Sequence, residues 1–184
     1  MYVGRIVAAG RTRDGKMTLL YRVSSRSFPD RRIVIGEDAA AVVRSEGVDA
    51  ARSEYVYYNC YRRVGQACVV TNGSHTDLIA ERLRQGLSPT DAVLQVLSFL
   101  GYERDDLSTP RIAVAFDPAR STSEVVFGIA GKDHFGVWTQ RIAEGKVACI
   151  STYGATSELG GALAQPSPFV GRHPSAKHIF RSQP

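Results

Sequence analysis

What this sequence lacks narrows the reading before any motif is considered. No apolar run approaches the roughly 18 residues that a membrane-spanning helix needs, so no membrane partner is expected. The opening stretch MYVGRIVAAG has no basic region, extended apolar core or small-residue cleavage site, and so does not read as a secretory signal. Cysteine is scarce: Cys60, Cys68 and Cys149 are odd in number and lack metal-ligand spacing. That argues against a disulfide framework or a zinc module and points to a reducing cytoplasm, with the thiols buried as small apolar groups. There is also no glycine-rich phosphate loop of either nucleotide-binding type. A phosphate bound here would be held by arginines and helix N-termini, and neither cofactor nor metal is expected.

What is present suits one globular domain over residues 1–184, with 43% apolar and 22% charged residues. The net charge of +5 favours an anionic partner. The arginines are scattered through strand-like segments, however, where nucleic-acid binders gather charge into a run or a helix face. The pattern therefore points to a small phosphorylated ligand in a pocket and away from nucleic acid. The oligomeric state, homo-oligomer included, stays open.

The first seventy residues read as hairpins. YVGRIVAAGR and MTLLYRVSSRS flank the turn TRDGK, RRIVIGEDAAAVV breaks at Gly36, and YVYYNCYRRVGQACVVTN breaks at Gly65. The period then changes. NGSHTDLIAERLRQG reads as a helix with Ser74 and Asp77 in capping-box register and Gly86 as its stop. SPTDAVLQVLSFLGYE follows with Ser88 as N-cap and Pro89 at the first helical position. Val93, Leu94, Val96, Leu97, Phe99 and Leu100 cover most of its circumference, which predicts burial on more than one side. Strands resume in RIAVAFD, EVVFGIAG, HFGVWTQRI and KVACIST, and residues 154–184 read as a proline-punctuated basic tail. Strands, two helices, then strands predict an α+β fold of antiparallel sheets with helices stacked on them.

Four clusters carry candidate chemistry. YRVSSRSFP, read as a strand, lines Arg22, Ser24 and Arg26 along one face. The two guanidiniums would stand roughly 13 Å apart, and guanidinium suits bidentate phosphate contact. YVYYNCYRR places Tyr58, Asn59 and Arg62 on a strand, where a buried Asn59 would need partners for its amide. TNGSHTD sets Asn72, His75 and Asp77 around a strand-to-helix junction with free backbone N–H groups. Capping accounts for Ser74 and Asp77 there, and poorly for Asn72 and His75. GYERDDLSTPRIAVAF brings Glu103, Asp105, Asp106 and Arg111 together; a glutamate beside arginines can serve as general acid or base. A solvated arginine face, surface tyrosine hydroxyls and an exposed acidic loop are the plain alternatives to each.

Taken in order, YVGRIVAAGR, YRVSSRSFP, YNCYRRVG, NGSHTD, STPRIAVAF and ISTYG resemble the archaeal-type IMP cyclohydrolases over about residues 1–153, with 154–184 divergent. The resemblance implies a four-layer αββα sandwich of the Ntn-hydrolase-like type with two antiparallel sheets. It also implies dehydrative closure of 5-formamidoimidazole-4-carboxamide ribotide to IMP, the last step of purine synthesis. True Ntn hydrolases need Thr, Ser or Cys at the mature N-terminus, whereas Met1-Tyr2 stands here, so covalent catalysis is not expected. On this reading Arg22, Ser25, Arg26, Ser27, Phe28, Asn59, Asp77 and Arg111 bind the ribotide. Tyr58 and Asn72 contact the oxyanion or carboxamide, Glu103 moves protons, and His75 is the second choice for that task. Two alternatives remain: a relative acting on a similar purine-like ribotide in a specialised pathway, and a noncatalytic nucleotide sensor.

Overall fold

The computed structural model describes residues 4–24, 30–44, 57–153 and 178–181. Two antiparallel sheets lie face to face. The smaller has four strands: β1 (Ile6–Arg11) and β2 (Met17–Arg22) form the hairpin expected from the Asp-Gly turn. Its edges are β10 (Val147–Ser151) and β11 (His178–Arg181), giving the order β10-β1-β2-β11. The larger sheet runs in chain order: β3 (Arg31–Ile35), β4 (Ala39–Arg44), β5 (Tyr58–Val64), β6 (Ala67–Thr71), β7 (Arg111–Phe116), β8 (Glu124–Ala130) and β9 (Phe135–Arg141). Helices α1 (His75–Arg84) and α2 (Pro89–Leu100) are inserted between β6 and β7.

Side-chain alternation on the strands assigns each residue to one of two cores. Val7, Leu19 and Tyr21 of the small sheet meet Val42, Cys60, Val70, Ile112, Val114 and Phe127 of the large one. The opposite face of the large sheet turns Val69, Ala113, Ala115 and Val126 toward Ile79 and Leu83 of α1 and Val93 and Leu97 of α2. Each large apolar side chain so buried contributes about 1.5–3 kcal/mol. Gly128 allows α2 to seat against β8, because a Cβ there would stand 2.4 Å from Val93 Cγ1 and 2.7 Å from Leu97 Cδ1.

The α+β class and the two antiparallel sheets agree with the sequence. Four details differ. Helices cover one face of the large sheet only, among the described residues, so three layers of the expected four are seen. α2 is buried along one side, leaving Leu94 42% and Phe99 86% exposed, because the sheet reaches only the stripe built on Val93, Val96 and Leu97. Ser88 caps α2 by accepting Asp91 N–H at 3.1 Å, as expected. Ser74 makes no side-chain cap for α1, since it already has helical backbone angles. Thr76 takes over the junction, its N–H and hydroxyl both donating to Gly73 O, at 3.2 and 3.0 Å. Finally, β11 is a strand inside the stretch expected to be a tail. No helix among the described residues is long and apolar enough to cross a membrane.

Candidate active site

At one end of the inter-sheet core β6 and the α1 junction finish, β5 and β7 begin, and the N-terminus of β1 meets the C-terminus of β10. Charged side chains converge there inside an apolar surround. Glu103 is 2% exposed and lies between two guanidiniums, with Oε2 3.5 Å from Arg5 Nη1 and Oε1 3.7 Å from Arg111 Nη1. Both separations exceed a hydrogen bond, and Oε2 has no hydrogen-bond partner among the described residues. Burial pushes the Glu103 carboxyl above its ordinary value, while Arg5 and Arg111 pull it back. Arg31, at the start of β3, is near enough to feel Tyr58, Arg5, Tyr21 and Glu103, and burial lowers its own proton affinity. Arg5 and Arg111 thus flank one carboxyl, with Arg31 close enough to act on it. Guanidiniums gathered in this way suit an anionic ligand.

The surrounding backbone is built to hold these groups. Gly4 has φ of +68°, and a Cβ there would fall 2.1 Å from Thr152 Oγ1; glycine is needed for that approach. Arg5 then exchanges bonds with Thr152: its N–H donates to Oγ1 and its carbonyl accepts Thr152 N–H, both at 3.0 Å. Asn72 straddles Arg111, with Nδ2 donating to Pro110 O at 2.9 Å and Oδ1 accepting Ile112 N–H at 2.8 Å. His75 Nε2 lies 3.1 Å from Ile112 O, which can only accept, so Nε2 carries the hydrogen and Nδ1 is left to accept from Arg111 Nη1 at 3.5 Å. Gly73 makes room for both neighbours, since a Cβ would stand 2.7 Å from Glu103 Oε1 and 3.2 Å from His75 Nδ1. Tyr21 and Tyr58 share a hydrogen bond of 2.6 Å, and burial pushes both phenols up, so both stay protonated.

Of the residues singled out in the sequence, Glu103, Arg111, His75, Asn72 and Tyr58 gather at this cluster. Two of them differ in character from the expectation. Asn72 spends its amide on backbone, which makes it a clamp on Arg111. His75 is driven down to about 3, by burial first and by Arg111 second, so at neutral pH its imidazole is uncharged and orients a neighbour. Asn59 and Asp77 are not brought here. Strand alternation turns Asn59 to the helix side of β5, where Nδ2 donates to Asp77 Oδ1 at 2.9 Å and Arg62 Nη1 donates to the same oxygen at 3.1 Å. Arg22 lies on the face of β2 opposite Tyr21, because Met17, Leu19 and Tyr21 take the buried side. Ser25, Arg26, Ser27 and Phe28 lie outside the described residues. Arg5, Arg31 and Tyr21 went unselected by sequence reasoning. Arg5 left a usable signal, a lone charge set between Gly4 and the apolar IVAAG. Tyr21 opens the YRVSSRSFP motif and Arg31 lies just beyond it, and neither left any further signal.

Among the described residues no three His, Cys, Asp or Glu side chains are placed to hold a metal ion. Cys60 and Cys68 are buried thiols pushed up to about 12 by burial, in keeping with inert packing groups. Chemically, the cluster can hold an anion, supply or remove a proton through Glu103, and stabilise negative charge that develops beside three guanidiniums.

The chain matches the family described as IMP cyclohydrolase-like protein over residues 2–169, past Tyr153, where the motif resemblance stops. Curated relatives agree. A protein named IMP cyclohydrolase from Methanosphaera stadtmanae is 40% identical over 155 residues, which is 83% of this chain and 74% of the relative. Those of the same name from Methanocella arvoryzae and Methanothrix thermoacetophila are 41% and 42% identical, each over 85% of this chain and 76% of their own length.

Proposed function

Because the chain belongs to the IMP cyclohydrolase-like family, we propose that it is an IMP cyclohydrolase, closing 5-formamidoimidazole-4-carboxamide ribotide to IMP with loss of water. The buried Glu103 flanked by Arg5 and Arg111 is the observation that carries the reading. In the reaction the carboxamide nitrogen adds to the formyl carbon, and a new C–N bond forms as the carbonyl electrons move to oxygen. That oxygen takes up a proton and leaves as water, with the second proton coming from the nitrogens as the ring double bond forms. Both reactants are on one molecule, so holding the formamide in the attacking rotamer supplies much of the rate. The guanidiniums of Arg5, Arg31 and Arg111 are suited to the developing oxyanion, and a buried carboxyl with raised proton affinity is suited to donating to it. Glu103 then receives the proton shed by nitrogen and is ready for another cycle.

Tyr58 belongs with the carboxamide or oxyanion in this scheme. The ribotide phosphate falls to the YRVSSRSFP segment, chiefly Ser25, Arg26, Ser27 and Phe28. The two packed antiparallel sheets with helices on one face support an Ntn-hydrolase-like sandwich over a single domain, in a cytoplasmic enzyme. The test is cyclisation of the formamido ribotide, followed as IMP appears, by the parent chain, Glu103→Gln and Arg26→Ala. Near-parental rates in both variants remove this site from contention.

A further inference from the structure

The loop that carries Glu103 is held by a chain of hydrogen bonds that the reaction scheme does not use. Glu103 N–H donates to Thr109 O at 2.8 Å, so the carboxyl hangs from the backbone of Thr109. Thr109 in turn is gripped twice by Asp105, its N–H donating to Oδ1 at 2.8 Å and its hydroxyl to Oδ2 at 2.6 Å. A hydroxyl has one hydrogen. With that hydrogen on Asp105, Tyr153 OH, 2.6 Å from Thr109 Oγ1, must be the donor of the second bond. The chain therefore runs one way, from Tyr153 at the end of β10 through Thr109 to the Asp105 carboxylate. Ser108, inside the loop, has φ of 48°, the only left-handed non-glycine among the described residues. Such a conformation persists where surrounding bonds over-determine it, and here Ser108 N–H is tied to Asp105 O at 2.9 Å.

We propose that Asp105 is a positioning residue for Glu103, fixing through Thr109 the loop from which the carboxyl reaches the site. The idea rests on the reading of Glu103 as proton carrier. The groups around Glu103 are Arg5 before β1, Arg31 on β3, His75 on α1 and Arg111 on β7, with Tyr58 of β5 beside Arg5 and Arg31. Tyr58 is protonated and His75 uncharged at neutral pH. The three guanidiniums pull Glu103 toward its ionised form. Asp105 is the negative charge that opposes them, and its influence on Glu103 acts in that direction. An enzyme that needs the acid form of Glu103 near neutrality benefits from that counterweight.

The test uses the full chain labelled with 13C at glutamate carboxyls, with the Glu103 signal assigned by its loss in Glu103→Gln. Its titration is followed in the parent, in Asp105→Asn, and in Asp105→Ser, whose hydroxyl can still accept Thr109 N–H. Both substitutions remove the charge, and the second stands in if the first does not fold. The Glu103 midpoint is expected to move to lower pH in both variants. The corresponding limb of the kcat profile should move the same way whether Glu103 works as acid or as base, with kcat down on the order of tenfold to a hundredfold and KM little changed. An unmoved Glu103 midpoint in the folded variants overturns the proposal, since a purely structural role would not shift it. A parent chain that fails to cyclise the ribotide sinks the functional reading instead, while the titration still judges Asp105.

Discussion

β5 presents a side chain to each face of the large sheet, and the two clusters it joins are opposites. On the inner face Tyr58 meets Tyr21 beside Arg5, Arg31, Arg111 and Glu103, with Glu103 set 3.5–3.7 Å from Arg5 and Arg111. On the outer face Asn59, Arg62 and Asp77 close on one another at 2.9–3.1 Å, with the Asp77 side chain 47% exposed. Both contain arginine and carboxylate. Water screens the outer set, so its pairing is worth little. The inner set is largely buried, and Glu103 sits between Arg5 and Arg111 at separations longer than a hydrogen bond. Loosely paired charge held in a buried place is the mark of a site suited to a ligand.

The comparison can be broken at several points. Glu103→Gln keeps the shape and removes the transferable proton; kcat for cyclisation should fall about 10²- to 10⁴-fold with folding retained, measured as IMP formed per enzyme. Gly73→Ala puts a methyl against Glu103 Oε1 and His75 Nδ1, and displacement of the carboxyl should cost on the order of tenfold to a hundredfold in kcat. His75 tests the inner cluster by pH. Its folded value near 3 lies below the unfolded value of 6.5, so the unfolded chain binds the proton first. Its contribution to stability is whole above pH 6.5 and drains away as pH falls toward 3, at no more than about 1.4 kcal/mol per pH unit. Denaturant melts between pH 4 and 7 should show a shallower slope in His75→Gln. The outer cluster should be almost silent. Arg62→Ala is expected to change stability by under about 1 kcal/mol, less at high salt, and to leave cyclisation at the parental rate.

The fold was largely legible in the sequence. The Asp-Gly hairpin, the breaks at Gly36 and Gly65 and the Ser88-Pro89 helix start all rest on local backbone chemistry, which a sequence states directly. What it could not state is which face of a strand turns inward. Arg22 and Tyr21 are neighbours with opposite fates, and a shift of one residue in the buried side exchanges them. The same ambiguity attends Asn59, whose side chain turns to the helix side of β5 and meets Asp77. α2 was expected to be buried on more than one side because periodicity reports apolar character and cannot report how wide the facing surface is. Arg5 was passed over because its partners, Thr152 and Glu103, are distant in sequence and near only after folding.

The pairing of β1 with β10 carries a consequence for synthesis of the protein. A nascent chain extended as far as α2 already holds Arg5, Tyr21, Tyr58 and His75, yet it has neither Glu103 nor Arg111, and Arg5 has no Thr152 to dock against. The cluster is complete only once β10 has joined β1 and brought Thr152 to Arg5, so a product terminated before that strand is expected to be inert.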